Sequence, residues 1–217
     1  MNKKQMSESL LLITFITISG ALQDAYTYFA RGKVFANAQT GNIVLMAAHF
    51  FDGDFIGGVR YLIPFLSFAL GVFIAEQIEG KYKNAQKVHW RQMIIVVEIL
   101  ILGFTAFLPE SCNLIANSLI SLACAMQVQS FRKWHGVAYA STMCIGNLRS
   151  GIANLSAYLR TKNKKTEENA IYYFGVIFTF FIGAGIGVLL VNHFGLKAIL
   201  GSCIALIISY FLMNATD

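Results

Sequence analysis

The stretch QDAYTYFARGKVFANAQTGN, Gln23–Asn42, decides how the chain is read. It starts inside an apolar run, Leu10–Phe29, and places an acid, Asp24, near that run's far end. A short polar turn follows (Arg31, Gly32, Lys33), then a dense group, Asn37, Gln39, Thr40, Gly41 and Asn42. The next apolar run, Ile43–Phe51, is too short to span a bilayer. Amides, a hydroxyl and a glycine at the mouth of a short apolar segment are costly in lipid unless they face protein or water. The stretch points to a polar site inside a membrane protein.

Composition agrees. Of 217 residues 56% are hydrophobic and only 13% charged, with a mean hydropathy of +0.59. A soluble domain carries about 25% charged residues, so this chain lacks the polar surface to cover itself in water. Several runs of roughly 20 apolar residues read as transmembrane helices. The net charge of +6 does not mark a nucleic-acid binder, because the basic residues lie between apolar runs and fit membrane orientation. The expected partner is the lipid bilayer. Cys112, Cys124, Cys144 and Cys203 sit within or beside apolar segments without CxxC or metal spacing, and His49, His89, His135 and His193 are scattered at segment ends. Neither a metal nor a cofactor is expected. Lys3 and Lys4 before an apolar run resemble a secretory leader, but the run continues past the poor cleavage site Ser19-Gly20-Ala21 and is kept as the first helix.

Taken in order, the expected segments are Leu10–Phe29, the short Ile43–Phe51, Phe55–Ile78, Gln92–Leu108, Asn113–Phe131, a weak Val137–Leu159, Ala170–Val191 and Leu196–Met213. Basic loops are expected at Glu79–Arg91 and Arg160–Glu168. The fold class is all-α, a polytopic membrane helix bundle forming one integral membrane domain over residues 1–217. An internal repeat divides it into 9–110 and 111–215. Gly20-Ala21-Leu22-Gln23-Asp24 is answered by Cys124-Ala125-Met126-Gln127-Val128, 104 residues later. Thr40-Gly41-Asn42-Ile43 is answered by Ile145-Gly146-Asn147-Leu148 at an offset of 105, and Tyr61, Phe68, Gly71 and Ala75 by Tyr173, Phe180, Gly183 and Gly187 at 112.

If all eight segments crossed, both of the most basic loops would lie outside, against the positive-inside rule. Six full spans plus two short, broken or re-entrant segments put Lys3/Lys4, Lys81–Arg91, Arg132/Lys133 and Arg160–Lys165 inside, with Arg31 and Lys33 the exceptions. Both termini are then cytoplasmic and the two repeats are inverted, as in many transporters. The run Asp24…Gly32-Lys33-Val34-Phe35…Thr40-Gly41-Asn42, in a chain of this length and hydropathy, resembles the YoaK family of bacterial membrane proteins. The likeness covers essentially the whole chain, with Ile145 in the second half standing where Thr40 does in the first. The resemblance implies a multi-pass protein of the bacterial inner membrane, and no particular activity.

The candidate solute-binding residues are Gln23, Asp24, Asn37, Gln39, Thr40, Gly41 and Asn42, with Gln127, Thr142, Asn147 and Arg149 as counterparts from the second half. Asp24 lies about 7 Å inside the apolar boundary at about 1.5 Å per residue. It reads either as a structural partner of Arg31 or Lys33, or as a substrate or proton site. Glu98, mid-span with no polar neighbour in its own helix, needs a partner elsewhere, and Arg149 is the favoured one. Gln39–Asn42 either cap a helix starting in the membrane, with Gly41 permitting the preceding turn, or satisfy one another. Gly175, Thr179, Gly183 and Gly187, four apart, form a helix-packing face, with Ser67, Gly71 and Ala75 as its first-half counterpart. No nucleophile–base pair, zinc motif or phosphate loop marks an enzyme. Two functions stand: a transporter or channel for a small polar solute or ion at the meeting of the two halves, or a non-transporting scaffold or accessory protein. The exposed glycine faces suit a homodimer.

Overall fold

Every apolar run of the sequence becomes a helix. The computed structural model describes residues 10–83, 89–134 and 137–214, and Lys3, Lys4, Lys87 and His135, used in the sequence reading, lie outside them. The helices are α1 (Leu10–Ala30), α2 (Gln39–Phe51), α3 (Phe55–Tyr82), α4 (Trp90–Thr105), α5 (Asn113–Ser130), α6 (Cys144–Thr161), α7 (Lys164–Phe194) and α8 (Leu200–Asn214). Large apolar side chains point outward all around the bundle, among them Phe51, Ile56, Phe73, Phe107 and Phe178. An outer surface of that kind is stable against lipid and not against water. The fold is a helical membrane bundle, and the protein is multi-pass.

Among the described residues, four helical segments suffice by length and composition to cross a membrane: α1, α3, Glu110–Ser130 and the stretch Lys164–Met213 that contains α7. Helices α4 and α8 have 16 and 15 residues, short of the roughly 20 a perpendicular span needs. At α2, 13 residues remain too few. Two expectations are corrected. The weak span Val137–Leu159 is helical only from Cys144, and its first residues form a two-residue antiparallel pairing, Lys133–Trp134 with Val137–Ala138, followed by irregular chain that bends at Ser141 and Thr142. The basic loop Arg160–Glu168 is nearly all helix. Lys162 takes a left-handed conformation, Asn163 accepts the Lys165 amide, and these two residues make the entire turn.

Local chemistry sets the other turns. Gly32 at φ 86° and Lys33 at φ 66° end α1, a path that glycine takes without strain. Asp54 starts α3 by accepting the Gly57 amide at 2.9 Å while meeting His49 at 2.8 Å. Those contacts, the Gly57 amide foremost, hold its carboxyl below the ordinary value.

The packing crosses between the two halves of the chain. Helix α3 lies chiefly on α5, and α1 chiefly on α7, while α2 packs on α3 and α6 on α7. Helices α1 and α8, α4 and α5, and α4 and α8 close the bundle. Small residues make the long contacts possible. A Cβ on Gly183 would sit 2.9 Å from the Ala21 Cβ, and one on Gly187 2.7 Å from the Ala25 Cβ. On the other side a Cβ on Gly71 would lie 2.3 Å from the Leu122 carbonyl oxygen. The expected face is therefore real at Gly183, Gly187, Gly71 and the fully buried Ala75. Gly175 belongs to no contact, since nothing lies within 4 Å of a Cβ placed there.

Candidate solute-binding site

The chain leaving α1 does not continue outward but folds back along it. The Asn37 amide N–H donates to Asp24 Oδ1 at 2.7 Å, and Asn37 Nδ2 donates to the Gly20 carbonyl at 3.3 Å. At about 1.5 Å per residue, Asp24 and Gly20 lie about 9 and 15 Å below the end of α1. The thiol of Cys124, on α5, donates to Asn37 Oδ1. In the second half, Thr142 reaches the same depth, its methyl group against the Gly20 backbone beside Gln127 Nε2. The two irregular segments meet between α1 and α5.

Each segment is closed by one asparagine in the same way. Asn42 Oδ1 accepts the Phe35 amide at 3.0 Å and Nδ2 donates to the Phe35 carbonyl at 2.7 Å. Asn147 Oδ1 accepts the Ala140 amide at 3.3 Å and Nδ2 donates to the Ala140 carbonyl at 2.6 Å. Both bonds span seven residues, and both side chains are buried. Such two-point clamps satisfy backbone groups that lipid would leave orphaned. The cluster largely satisfies itself: Gln39 Oε1 accepts from Asn42 Nδ2, and Gln39 Nε2 donates to the Ala36 carbonyl. It does not cap α2, whose first turn is preceded by Ala38 with no side-chain cap. Helix α6, preceded by Met143, also lacks one. Gly41 makes no turn either; it leaves room for the Phe35 ring, 3.3 Å from where its Cβ would be.

Around this meeting point lies a cavity of about 930 Å³. Asp24, Asn37, Gln39, Thr40 and Thr142, five of the residues expected from the sequence, line it. The starts of α2 and α6 form part of its wall, the latter through Cys144, Ile145 and Gly146. The rest is mostly aromatic: Tyr28, Phe29, Phe35, Phe65, Phe68, Phe180 and Phe181. Sequence reasoning missed these rings and Cys144. The available signal was the match of Phe68 to Phe180, two positions that share one cavity.

The remaining expected residues are placed elsewhere. Gly41, Asn42 and Asn147 shape the segments as described. Gln23 is buried between α1, α4 and α8, where Nε2 donates to Glu98 Oε1 at 2.8 Å and to Ser19 Oγ at 3.2 Å. Ser19 and Ser202 hydroxyls meet at 2.6 Å in the same network. Gln127 Nε2 donates to the Ile16 carbonyl at 3.0 Å. Arg149 is exposed on α6, two residues past the buried Asn147 and so on the opposite face. The expected Glu98–Arg149 pair is thus replaced by Glu98–Gln23.

The pairing of Asp24 with Arg31 or Lys33 is corrected as well. Arg31 is fully buried, and among the described residues no acid forms a salt bridge with it. Its Nε donates to Tyr26 Oη at 2.8 Å, Nη1 to the Pro109 carbonyl and Asn113 Oδ1, each at 3.1 Å, and Nη2 to the Thr105 and Leu108 carbonyls at 2.8 and 2.9 Å. A guanidinium has five N–H donors, and all are used. Three of the acceptors are carbonyls at and beyond the end of α4, where the helix dipole favours a cation. Lys33 is exposed, its Nζ 4.7 Å from the Tyr28 ring centroid and 5.1 Å from that of Phe29.

A family described as "Protein of unknown function (DUF1275)" matches residues 11–212. The "UPF0700 transmembrane protein YoaK" of Bacillus subtilis (strain 168) is 25% identical over 161 residues, which cover 71% of this chain and 70% of that protein. No solved structure matches.

Proposed function

The chain belongs to the DUF1275 family of membrane proteins, a family described only as of unknown function, and on the geometry of its centre we propose that it carries a small solute across the bacterial inner membrane. The carrying observation is the cavity of about 930 Å³ at which a buried carboxylate and two non-helical segments from different halves converge. Broken segments meeting at mid-membrane around a solute are how many transporters build their sites.

The reading includes six crossings and two re-entrant segments, arranged as inverted repeats. The reciprocal packing of α1 on α7 and α3 on α5 supports that arrangement, as do the matching clamps of Asn42 and Asn147. So do two pairs of buried oxygens left without a partner, on Thr17 and Ser121 and on Gln23 and Gln127, each pair 104 residues apart. Helices α4 and α8 cross as short spans, packed against one another. Both termini face the cytoplasm, and the protein works without enzymatic chemistry.

The test is uptake into proteoliposomes, screened over organic cations, amino acids, small organic acids and monovalent ions. Asp24→Asn keeps shape and an acceptor for the Asn37 amide but loses the charge. The expected outcome is at least about a tenfold fall in uptake, roughly 1.4 kcal/mol of lost interaction, with unchanged size-exclusion behaviour. Absence of flux for every solute would leave the scaffold reading in its place.

A further inference from the structure

The walls of the central cavity carry one acid and no base. Among its lining residues Asp24 is the only aspartate, glutamate, lysine, arginine or histidine. The residue is 8% exposed, and its carboxylate holds the Asn37 amide through Oδ1. Among the described residues no basic side chain forms a salt bridge with it. Around it stand aromatic rings from α1, α3, α7 and the first broken segment. Tyr28 and Phe35 stack at 4.6 Å between centroids, and Phe68 and Phe180 come from the two long helices on either side. Aromatic faces are electronegative and attract cations, most strongly where water is excluded. The outer edge of this wall already does so, for the Lys33 ammonium lies over Tyr28 and Phe29.

One feature favours the opposite charge. The uncapped starts of α2 and α6 each present roughly half a positive charge. Together the two half-charges about equal the one carboxylate, so the aromatic rings of the wall decide the balance, and they favour a cation.

We propose that the central cavity binds an organic cation, its ammonium group on Asp24 and its apolar part among Phe35, Phe68 and Phe180. The assignment rests on the transport reading for its purpose but not for its test, which is binding. The full chain in phosphatidylcholine nanodiscs is titrated calorimetrically with benzyltrimethylammonium, neutral N,N-dimethylbenzamide and anionic 3-phenylpropionate, with empty nanodiscs subtracted. The cation is expected to bind at least about tenfold more tightly than either of the others. Asp24→Asn should remove about that preference, and Phe68→Leu and Phe180→Leu should each weaken the cation several-fold, on the order of one cation–π contact.

Equal binding of the neutral amide would mean a merely apolar cavity and overturn the proposal. Tighter binding of the anion would assign the site to the start of α6 instead, and binding of none of the three would overturn it equally. Should Asp24→Asn fail to fold, the wild-type preference and the two phenylalanine variants decide. Cation binding without flux in proteoliposomes keeps this site and removes the transporter; flux of another solute without cation binding does the reverse.

Discussion

Arg31 shows how much one side chain holds together. It is fully buried, and its acceptors come from α1, the end of α4 and the start of α5, so one planar fork joins three elements. Lysine keeps the charge but has three donors on a flexible stem and cannot reproduce that fork. Arg31→Lys should destabilise the protein by about 3 kcal/mol, through carbonyls left buried without donors, read as a lower thermal midpoint in detergent. The asparagine clamps invite a paired experiment. Asn42→Ala and Asn147→Ala each strip the two clamp hydrogen bonds from a broken segment, at about 1 kcal/mol per bond, and Asn42→Ala also loses the bond to Gln39 Oε1. A loss of thermal stability at both, somewhat larger for Asn42→Ala, together with weaker uptake for both, is the expected outcome; loss at only one would mean the segments are not equivalent. Asn42 and Asn147 were legible as a related pair from spacing alone. Their work was not, because a side chain that binds backbone leaves no complementary residue type to read. Arg31 looked misplaced for the same reason: most of its acceptors are carbonyls 74 to 78 residues away.

Among elements, the helices were the most legible, since each apolar run gives one helix. The stretch after α5 was less so. Val137–Met143 is apolar enough to suggest a span, yet Asn147 clamps the preceding chain into an irregular lead-in. The Arg160–Glu168 segment read as a loop because charge was taken for irregularity, although lysine and glutamate are good helix formers. The small-residue face of α7 is predicted at four positions; Gly183 and Gly187 use it and Gly175 does not. Gly183 lies under α1 with the Ile18 backbone 3.0 Å from a would-be Cβ, so Gly183→Leu must push the helices apart. The expected cost is about 1–3 kcal/mol, typical of overpacking. Gly175→Leu, with open space around it, serves as the control and should leave the thermal midpoint unchanged.

For the whole molecule the first test is orientation. Lys83 closes α3 and Lys164 opens α7, and both are exposed. In a six-crossing arrangement they share the cytoplasmic face, where positive charge collects. Single cysteines at these positions, in a background without the native four, should resist an impermeant maleimide added outside cells and react once the membrane is opened. External labelling of either would overturn the orientation and with it the inverted arrangement. The aromatic half of the cavity shows where reading by composition stops. Phenylalanine is the ordinary lipid-facing residue of this chain, and only the crossing of α1 with α7 and of α3 with α5 turns a few of them inward.

That crossing also bears on how the protein is made. When α3 leaves the ribosome, α5, the surface that Gly71 and Ala75 fit, has not been synthesised. Likewise α1 waits for Gly183 and Gly187 of α7, the last long helix to emerge. Until those partners follow, the small-residue faces of the first half have no protein surface to close on, so the two long contacts of the bundle can form only once the second half has been made.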